Sequence, residues 1–262
     1  MYKKLSILGI ILVFAVVFWI SADKWINNSG KFDNVGNWLI PLVSLVILSS
    51  CISLAFLIID ERRLKDLIFL IVGAPAVVIF GFTQYFPGAL AITFLFHSIA
   101  IKRVKTELEQ RTKINIGIII KQALPMIILP IFIVISFAYY LSPLVQQSVN
   151  EKGLPSSFRS LLTKSVDTVV NTQLADLPAK DKEQAKNEVM NKITSWALNY
   201  IAPYSQFIPP VLAFGLFLVL IGFKFIFVWL GTWLAMLFFL ILKKTGFVTI
   251  IEKDVKAQAI VI

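Results

Sequence analysis

Three ionisable side chains fall inside long apolar segments of the sequence: His97, Lys121 and Lys224. Such groups are costly in a bilayer and mark ion paths, proton relays or ligand sites by default. Each also has a plainer interpretation. A histidine near the end of its segment is more often a hydrogen-bonded packing residue, and long lysine stems let Lys121 and Lys224 reach the headgroups. These three positions are the candidate sites for polar chemistry.

The remaining sequence offers little for catalysis or for a metal. One Cys and one His cannot make a disulfide framework, a Cys/His zinc site or a bis-His haem. The apolar segments hold no Asp or Glu, which argues against a carboxylate proton relay. The chain has no G-x-S-x-G sequence, glycine-rich phosphate loop or H-E-x-x-H motif. We therefore predict no catalytic residue, no cofactor and no metal ligand.

Small residues recur within the apolar segments, where they let helices approach closely. The cluster Ser49, Ser50, Cys51 and Ser53 resembles a nucleophile site only by residue type. We interpret it as a packing face. Gly73 beside Pro75, and Gly215 and Gly222 further along, are interpreted in the same way.

The composition indicates a membrane protein. Of the 262 residues, 58% are hydrophobic and only 15% are charged, against roughly half and a quarter in a soluble domain. A soluble fold of this size cannot bury so much apolar surface. The chain is therefore predicted to be all-α, with helices that cross a bilayer several times.

A helix needs about 20 apolar residues to cross the hydrocarbon core. The predicted segments are Leu5–Ala22, Asn37–Ile59, Leu67–Thr83, Gly88–Ile101, Ile114–Leu141 and the double-length Ser205–Lys244. The first segment is predicted to be an uncleaved anchor. A cleaved signal peptide is the alternative, but with a cut after Ala22 the cleavage site would have Ile20 where a small residue is expected. The break at Gln84–Gly88 makes the third and fourth segments a short hairpin.

The segment Ser205–Lys244 decides between seven spans and six. A turn at Gly222–Lys224 would make it a hairpin and give seven spans, which is the preferred count. That count leaves the end of the chain outside, although it carries Lys243, Lys244, Lys253 and Lys256. Six spans would place these lysines on the cytoplasmic side, where Lys and Arg concentrate. They would, however, need about 50 Å of helix across a ~30 Å core.

Basic residues predict a cytoplasmic N-terminus, because Lys and Arg concentrate in cytoplasmic loops. With that orientation ten Lys and Arg residues, in segments 3–4, 62–65 and 102–113, fall on the inner side. Trp and Tyr side chains, among them Trp19, Tyr139 and Tyr140, are then expected near the outer boundary. The predicted location is the plasma membrane.

The only long polar stretch, residues 142–204, is predicted to be an extracytoplasmic helical hairpin. Apolar residues from Phe158 to Leu174, and again from Ala185 to Ile201, recur with helical spacing. The two stripes either bury each other or lie on the membrane, or one of them is completed by a partner helix. The predicted regions are thus 1–141 (five spans), 142–204 (insertion), 205–244 (membrane hairpin) and 245–262 (tail).

Most of the net charge of +10 comes from Lys and Arg in segments predicted to lie on the cytoplasmic side. Anionic lipid headgroups are therefore a sufficient partner, and nucleic acid is not expected. The leading functional hypothesis is a structural or protein-interaction component that uses its 155–201 helices to contact itself or another protein. A small-solute or lipid permease is the alternative, because Pro75, Pro125 and Pro130 interrupt the spans. A membrane enzyme ranks third.

Overall fold

The computed structural model describes residues 2–28, 34–81, 86–110, 115–150, 156–173, 178–196, 199 and 202–249. Every regular element in these ranges is a helix. The helices are α1 Tyr2–Ile26, α2 Val35–Ile58, α3 Arg62–Phe80, α4 Phe86–Gln110, α5 Ile116–Leu141, α6 Pro143–Asn150, α7 Ser156–Gln173, α8 Ala179–Trp196, a 3₁₀ helix Ala202–Phe207 and α9 Ile208–Lys244. The predicted all-α class is therefore confirmed for the described residues.

Four of these helices, α1, α2, α5 and α9, are long and apolar enough to cross a membrane. Helices α3 and α4 have the length but not the composition, since α3 begins with the charged residues 62–66 and α4 ends with the charged residues 102–109. The predicted count of seven spans is not reached. These four helices indicate a protein integrated into a membrane.

The predicted turn at Gly222–Lys224 is wrong, because α9 runs unbroken for 37 residues. Gly222 is the only residue there that favours a turn, and it takes no left-handed conformation. A glycine inside a helix costs only about 1 kcal/mol. A break would leave backbone groups without partners in an apolar stretch, which costs more. Pro209 and Pro210 are tolerated because they lie in the first turn.

A break separates the third and fourth segments, but it comes earlier than predicted, because Phe86, Pro87 and Gly88 already form the first turn of α4. Helix α3 ends at Phe80, and Gly81 follows with φ +78°, a left-handed conformation that favours glycine. The residues 82–85 lie outside the described ranges. Both helices extend further than the apolar runs, α3 back to Arg62 and α4 forward to Gln110.

The chain divides into two compact units: Met1–Ile20, Pro41–Ile133 and Leu220–Ile262 form the first, and Ser21–Ile40 and Val134–Val219 form the second. The contacts of the first unit show the relative directions of several of its helices. Helices α3 and α4 are antiparallel, since Phe69 contacts Phe94 while Lys65 contacts His97. Helix α1 runs parallel to α3, with Lys4 against Glu61 and Trp19 against Val72.

Helices α5 and α9 are antiparallel within the same unit. A Cβ on Gly117 would come within 3.2 Å of Met236 Sδ, near the beginning of α5 and the end of α9. Further along, the Phe132 and Phe227 rings meet edge to face with centroids 5.5 Å apart. From the first contact to the second, the residue number rises in α5 and falls in α9, as it does in an antiparallel pair.

In the second unit, α7 and α8 pack against each other. Val166 and Val170 are buried, and Lys186 Nζ lies 2.7 Å from Asp167 Oδ1. The predicted pair of helices is therefore present, although only part of each stripe is covered. The short helix α6 and the 3₁₀ helix, which the sequence pattern did not predict, also contact each other.

Candidate functional site

His97 is the most buried of the three candidate side chains, with 8% of its surface exposed. Its Nε2 lies 2.8 Å from the Lys65 carbonyl oxygen of α3. The Phe56 ring stands edge-on at 4.9 Å and the Phe69 ring is tilted at 5.9 Å between centroids. His97 thus has a specific hydrogen-bond partner, a backbone carbonyl 32 residues away, which supports its interpretation as a packing residue.

A small cavity of about 30 Å³ adjoins His97. Residues of α2, α3, α4 and α5 line it: Ile52, Ile68, Phe69, Val72, Thr93, His97, Met126, Ile127, Pro130 and Ile131. The Thr93 hydroxyl already donates to the Ala89 carbonyl at 2.8 Å. His97 is therefore the main polar side chain on an otherwise apolar lining.

Lys121 is exposed on the second turn of α5. Beside it, the Gln122 amide donates to Glu107 Oε1 at 2.6 Å, which brings the charged end of α4 to the beginning of α5. The charged end of α4 therefore lies beside this part of α5. The arrangement supports a lysine whose head reaches the headgroup region.

Lys224 lies in the middle of α9, 20 residues before Lys244, and not in a turn. It precedes the buried residues Val228 and Gly231 by four and seven positions, so it shares their face of the helix. It is partly buried, and among the described residues no hydrogen bond or ion pair reaches it. His97, Lys121 and Lys224 are therefore not assembled into one site.

The serine cluster of α2 is a packing face, as predicted. Ser49, Ser50 and Ser53 are buried, and Ser50 Oγ donates to the Gly231 carbonyl at 3.0 Å. A Cβ on Gly231 would meet Leu124 Cδ1 at 3.2 Å. Gly231 was not singled out from the sequence. By contrast nothing lies within 4 Å of a Cβ on Gly222, so the prediction that Gly222 packs is wrong among the described residues.

Trp19, which is expected near the outer boundary, is buried against another helix. Its side chain is 2% exposed and its indole N–H donates to the Val72 carbonyl at 2.8 Å. The Phe80 ring packs against it edge to face. An indole can serve a helix interface as well as a headgroup, because a buried indole N–H needs only one acceptor.

The two ends of the first unit's chain meet beside the α2–α3 junction. Lys3 Nζ donates to the carbonyls of Gly246 and Phe247, both at 3.3 Å, and lies 5.1 Å from the Phe247 ring centroid. Lys4 Nζ donates to Glu61 Oε2 at 2.6 Å. That hydrogen bond holds the pKa of Glu61 below its ordinary value. The beginning of α1 is therefore tied to the end of α9.

Comparisons with family models, with curated proteins and with solved structures give no match. The class defined by the fold is an all-helical protein with four helices able to cross a membrane. Among the described residues, no group of three His, Cys, Asp or Glu side chains could hold a metal ion. Any function has to be argued from the chain itself.

Proposed function

We propose that the chain is a multi-pass protein of the plasma membrane whose α7–α8 hairpin is an extracytoplasmic docking element. The observation that carries the proposal is the apolar surface left on that hairpin. Val169, Val189 and Trp196 are 51%, 40% and 56% exposed, although α7 and α8 are otherwise polar helices. Val189 and Trp196 lie seven residues apart and therefore share one face of α8. An exposed apolar face on a polar helix is typical of an interaction site.

Six crossings, in which only the apolar parts of α3 (67–80) and α4 (86–101) cross together with α1, α2, α5 and α9, fit the contacts of the first unit. The parallel pair α1 and α3 and the antiparallel pairs α3–α4 and α5–α9 give the alternation that six successive crossings require. The contacts of Lys3 with Gly246 and of Lys4 with Glu61 support both termini on one side. The density of Lys and Arg at that end supports the cytoplasmic side.

Photo-crosslinking tests the docking proposal. A benzophenone amino acid at Val169 or Trp196 should capture a protein in the native membrane. The matched control is Asn187, which is also exposed but lies nine residues before Trp196, on the opposite face of α8. An adduct of twice the chain's mass identifies a second copy, and any other mass identifies another protein. Equal capture from all three positions, or none, contradicts the proposal.

A small-solute or lipid permease is the second candidate. Pro75, Pro125 and Pro130 lie inside the continuous helices α3 and α5, and each leaves one backbone carbonyl without its helical partner. Freed carbonyls in membrane helices can contact solutes. Uptake into vesicles containing the native chain or Lys121→Ala tests this. Flux equal to that of empty vesicles would exclude it.

A further inference from the structure

We propose that the groove between α1 and α3 binds an acyl chain of an anionic phospholipid, whose phosphate is held by Arg63 at one end of the groove. The residues that form the groove all belong to the first unit, so the site is independent of the α7–α8 hairpin. Such a site requires α1 to lie in a bilayer, as its length and composition indicate.

The groove lies between two parallel helices and is open on one side. Helix α1 supplies Leu12, Val16 and Ile20 to one wall, and α3 supplies residues between Leu70 and Ile79 to the other. Its volume is about 610 Å³, within the range of roughly 300–1,000 Å³ that is typical of small-molecule sites. A groove of this size can hold a flexible chain.

The length of the groove matches one leaflet of a bilayer. From Leu70 to Ile79 the wall formed by α3 extends over about 14 Å at 1.5 Å per residue. Half of the ~30 Å hydrocarbon core is about 15 Å. An acyl chain of one leaflet can therefore lie along the whole wall.

The lining favours hydrocarbon over water or another helix. Seven of the nine lining residues are Leu, Ile or Val, and the other two are Ala74 and Pro75. A bound water needs two to four polar partners, which none of these side chains offers. Helices that associate in lipid use small or polar residues at their interface, whereas large branched side chains dominate here. A lipid tail needs neither kind of residue.

Arg63 lies at the beginning of α3, on the face of the helix that lines the groove. It precedes Leu70 by seven residues and Ala74 by eleven, and both of these line the groove. Leu67, between Arg63 and Leu70, is also exposed on this face. The guanidinium therefore belongs to the charged end of an apolar stripe, as the phosphate belongs to the charged end of an acyl chain.

The charge of Arg63 is available for a ligand. Its side chain is exposed, and among the described residues no hydrogen bond or ion pair reaches it. The neighbouring acidic side chains already have partners, since Glu61 pairs with Lys4 and Asp66 with Arg62. A guanidinium can bind a phosphate through two parallel hydrogen bonds. Charge complementarity at this end thus favours an anionic headgroup.

Native mass spectrometry of the full chain in mild detergent tests the site, with dioleoyl phosphatidylglycerol and dioleoyl phosphatidylcholine as probes. We expect one phosphatidylglycerol to bind several-fold more tightly, because choline offsets the phosphate charge of the other lipid. Ala74→Trp fills the groove and should weaken both lipids several-fold, while Ala91→Trp, at an exposed alanine of α4 outside the groove, should not. Arg63→Gln should remove the preference for phosphatidylglycerol, and Arg103→Gln, at an exposed arginine of α4, should retain it.

Four results would overturn the proposal. Equal binding of the two lipids by the native chain, or no binding, removes the anionic ligand. Equal effects of Ala74→Trp and Ala91→Trp place lipid binding elsewhere. A preference that survives Arg63→Gln means that another group holds the headgroup. A chain dimer that only Ala74→Trp disrupts means that a second copy occupies the groove. Thermal unfolding in lipid-free detergent checks that each variant folds, and Val16→Trp, which fills the groove from α1, replaces Ala74→Trp if that variant is unfolded.

Discussion

At the scale of single residues, α9 carries glycines with opposite environments. Gly231 lies where α2 and α5 both approach α9, with Leu124 Cδ1 3.2 Å and Ser50 Oγ 3.6 Å from the place of a Cβ. Gly222, nine residues earlier, faces open space. Small residues allow such close helix contacts, and the carbonyl of Gly231 also accepts the Ser50 hydrogen bond.

Valine at each glycine should therefore give different results. Gly231→Val places methyl groups against Leu124 and Ser50 and is expected to lower the free energy of unfolding by ~1–3 kcal/mol, as overpacking does. Gly222→Val serves as the control and should change it by less than about 0.5 kcal/mol, since the two residues differ little in helix propensity. Thermal unfolding in detergent measures both. Equal losses at both positions would contradict the packing at Gly231.

The Lys4–Glu61 contact predicts a pH dependence. Because Lys4 holds the pKa of Glu61 below its ordinary value, the contact stabilises the folded chain above that ordinary value. The stabilisation is lost as the pH falls through the lowered pKa. We expect faster hydrogen exchange in the second turn of α1, where the first hydrogen-bonded amides lie, in Glu61→Gln at neutral pH. Native chain and variant should converge in acid. Identical exchange at neutral pH would show that the contact does not hold α1.

The sequence identified His97 as a polar residue in an apolar segment but could not provide its partner. The partner is a backbone carbonyl, which every residue carries and which leaves no trace in residue type. The same holds for Trp19, whose indole binds the Val72 carbonyl. Side-chain chemistry was therefore predictable from the sequence, and pairing across helices was not.

At the scale of elements, the difference between expectation and structure is largest in α9. Composition predicted two spans there, because a mainly apolar stretch of 37 residues gives about 55 Å of helix against a ~30 Å core. Length alone does not create a turn, and the stretch contains neither proline after Pro210 nor a polar turn sequence. In a single crossing, tilt or extension beyond the headgroups takes up the excess length.

Distance measurement within α9 tests its continuity. Spin labels on Val211 and Leu240, both exposed, should lie about 43 Å apart in an unbroken helix at 1.5 Å per residue. A hairpin with its turn at 222–224 would bring them within about 20 Å, because the two arms would lie side by side. Cys51→Ser removes the one native thiol first. A distance in the shorter range would restore the seven-span interpretation.

At the scale of the whole molecule, the distribution of Lys and Arg and the helix contacts of the first unit both support the proposed six crossings. Charge counts had favoured six spans on account of the basic tail, while apolar length favoured seven. The contacts from Lys3 to Gly246 and Phe247 add a physical link between the beginning of α1 and the end of α9, which neither argument contained. An even number of crossings places the beginning of α1 and the end of α9 on the same side of the membrane, which that contact requires.

This topology predicts which engineered thiols a membrane-impermeant maleimide reaches in intact cells. In the Cys51→Ser chain, Ser165→Cys on α7 should react at once, because that position is exposed and the hairpin is proposed to lie outside. Lys105→Cys on α4 and Lys244→Cys at the end of α9 are equally exposed but should react only after the membrane is opened. Protection of Ser165→Cys in intact cells would invert the orientation. Reaction of Lys244→Cys alongside Ser165→Cys would instead require an odd number of crossings, and the contact between the two termini would then be wrong.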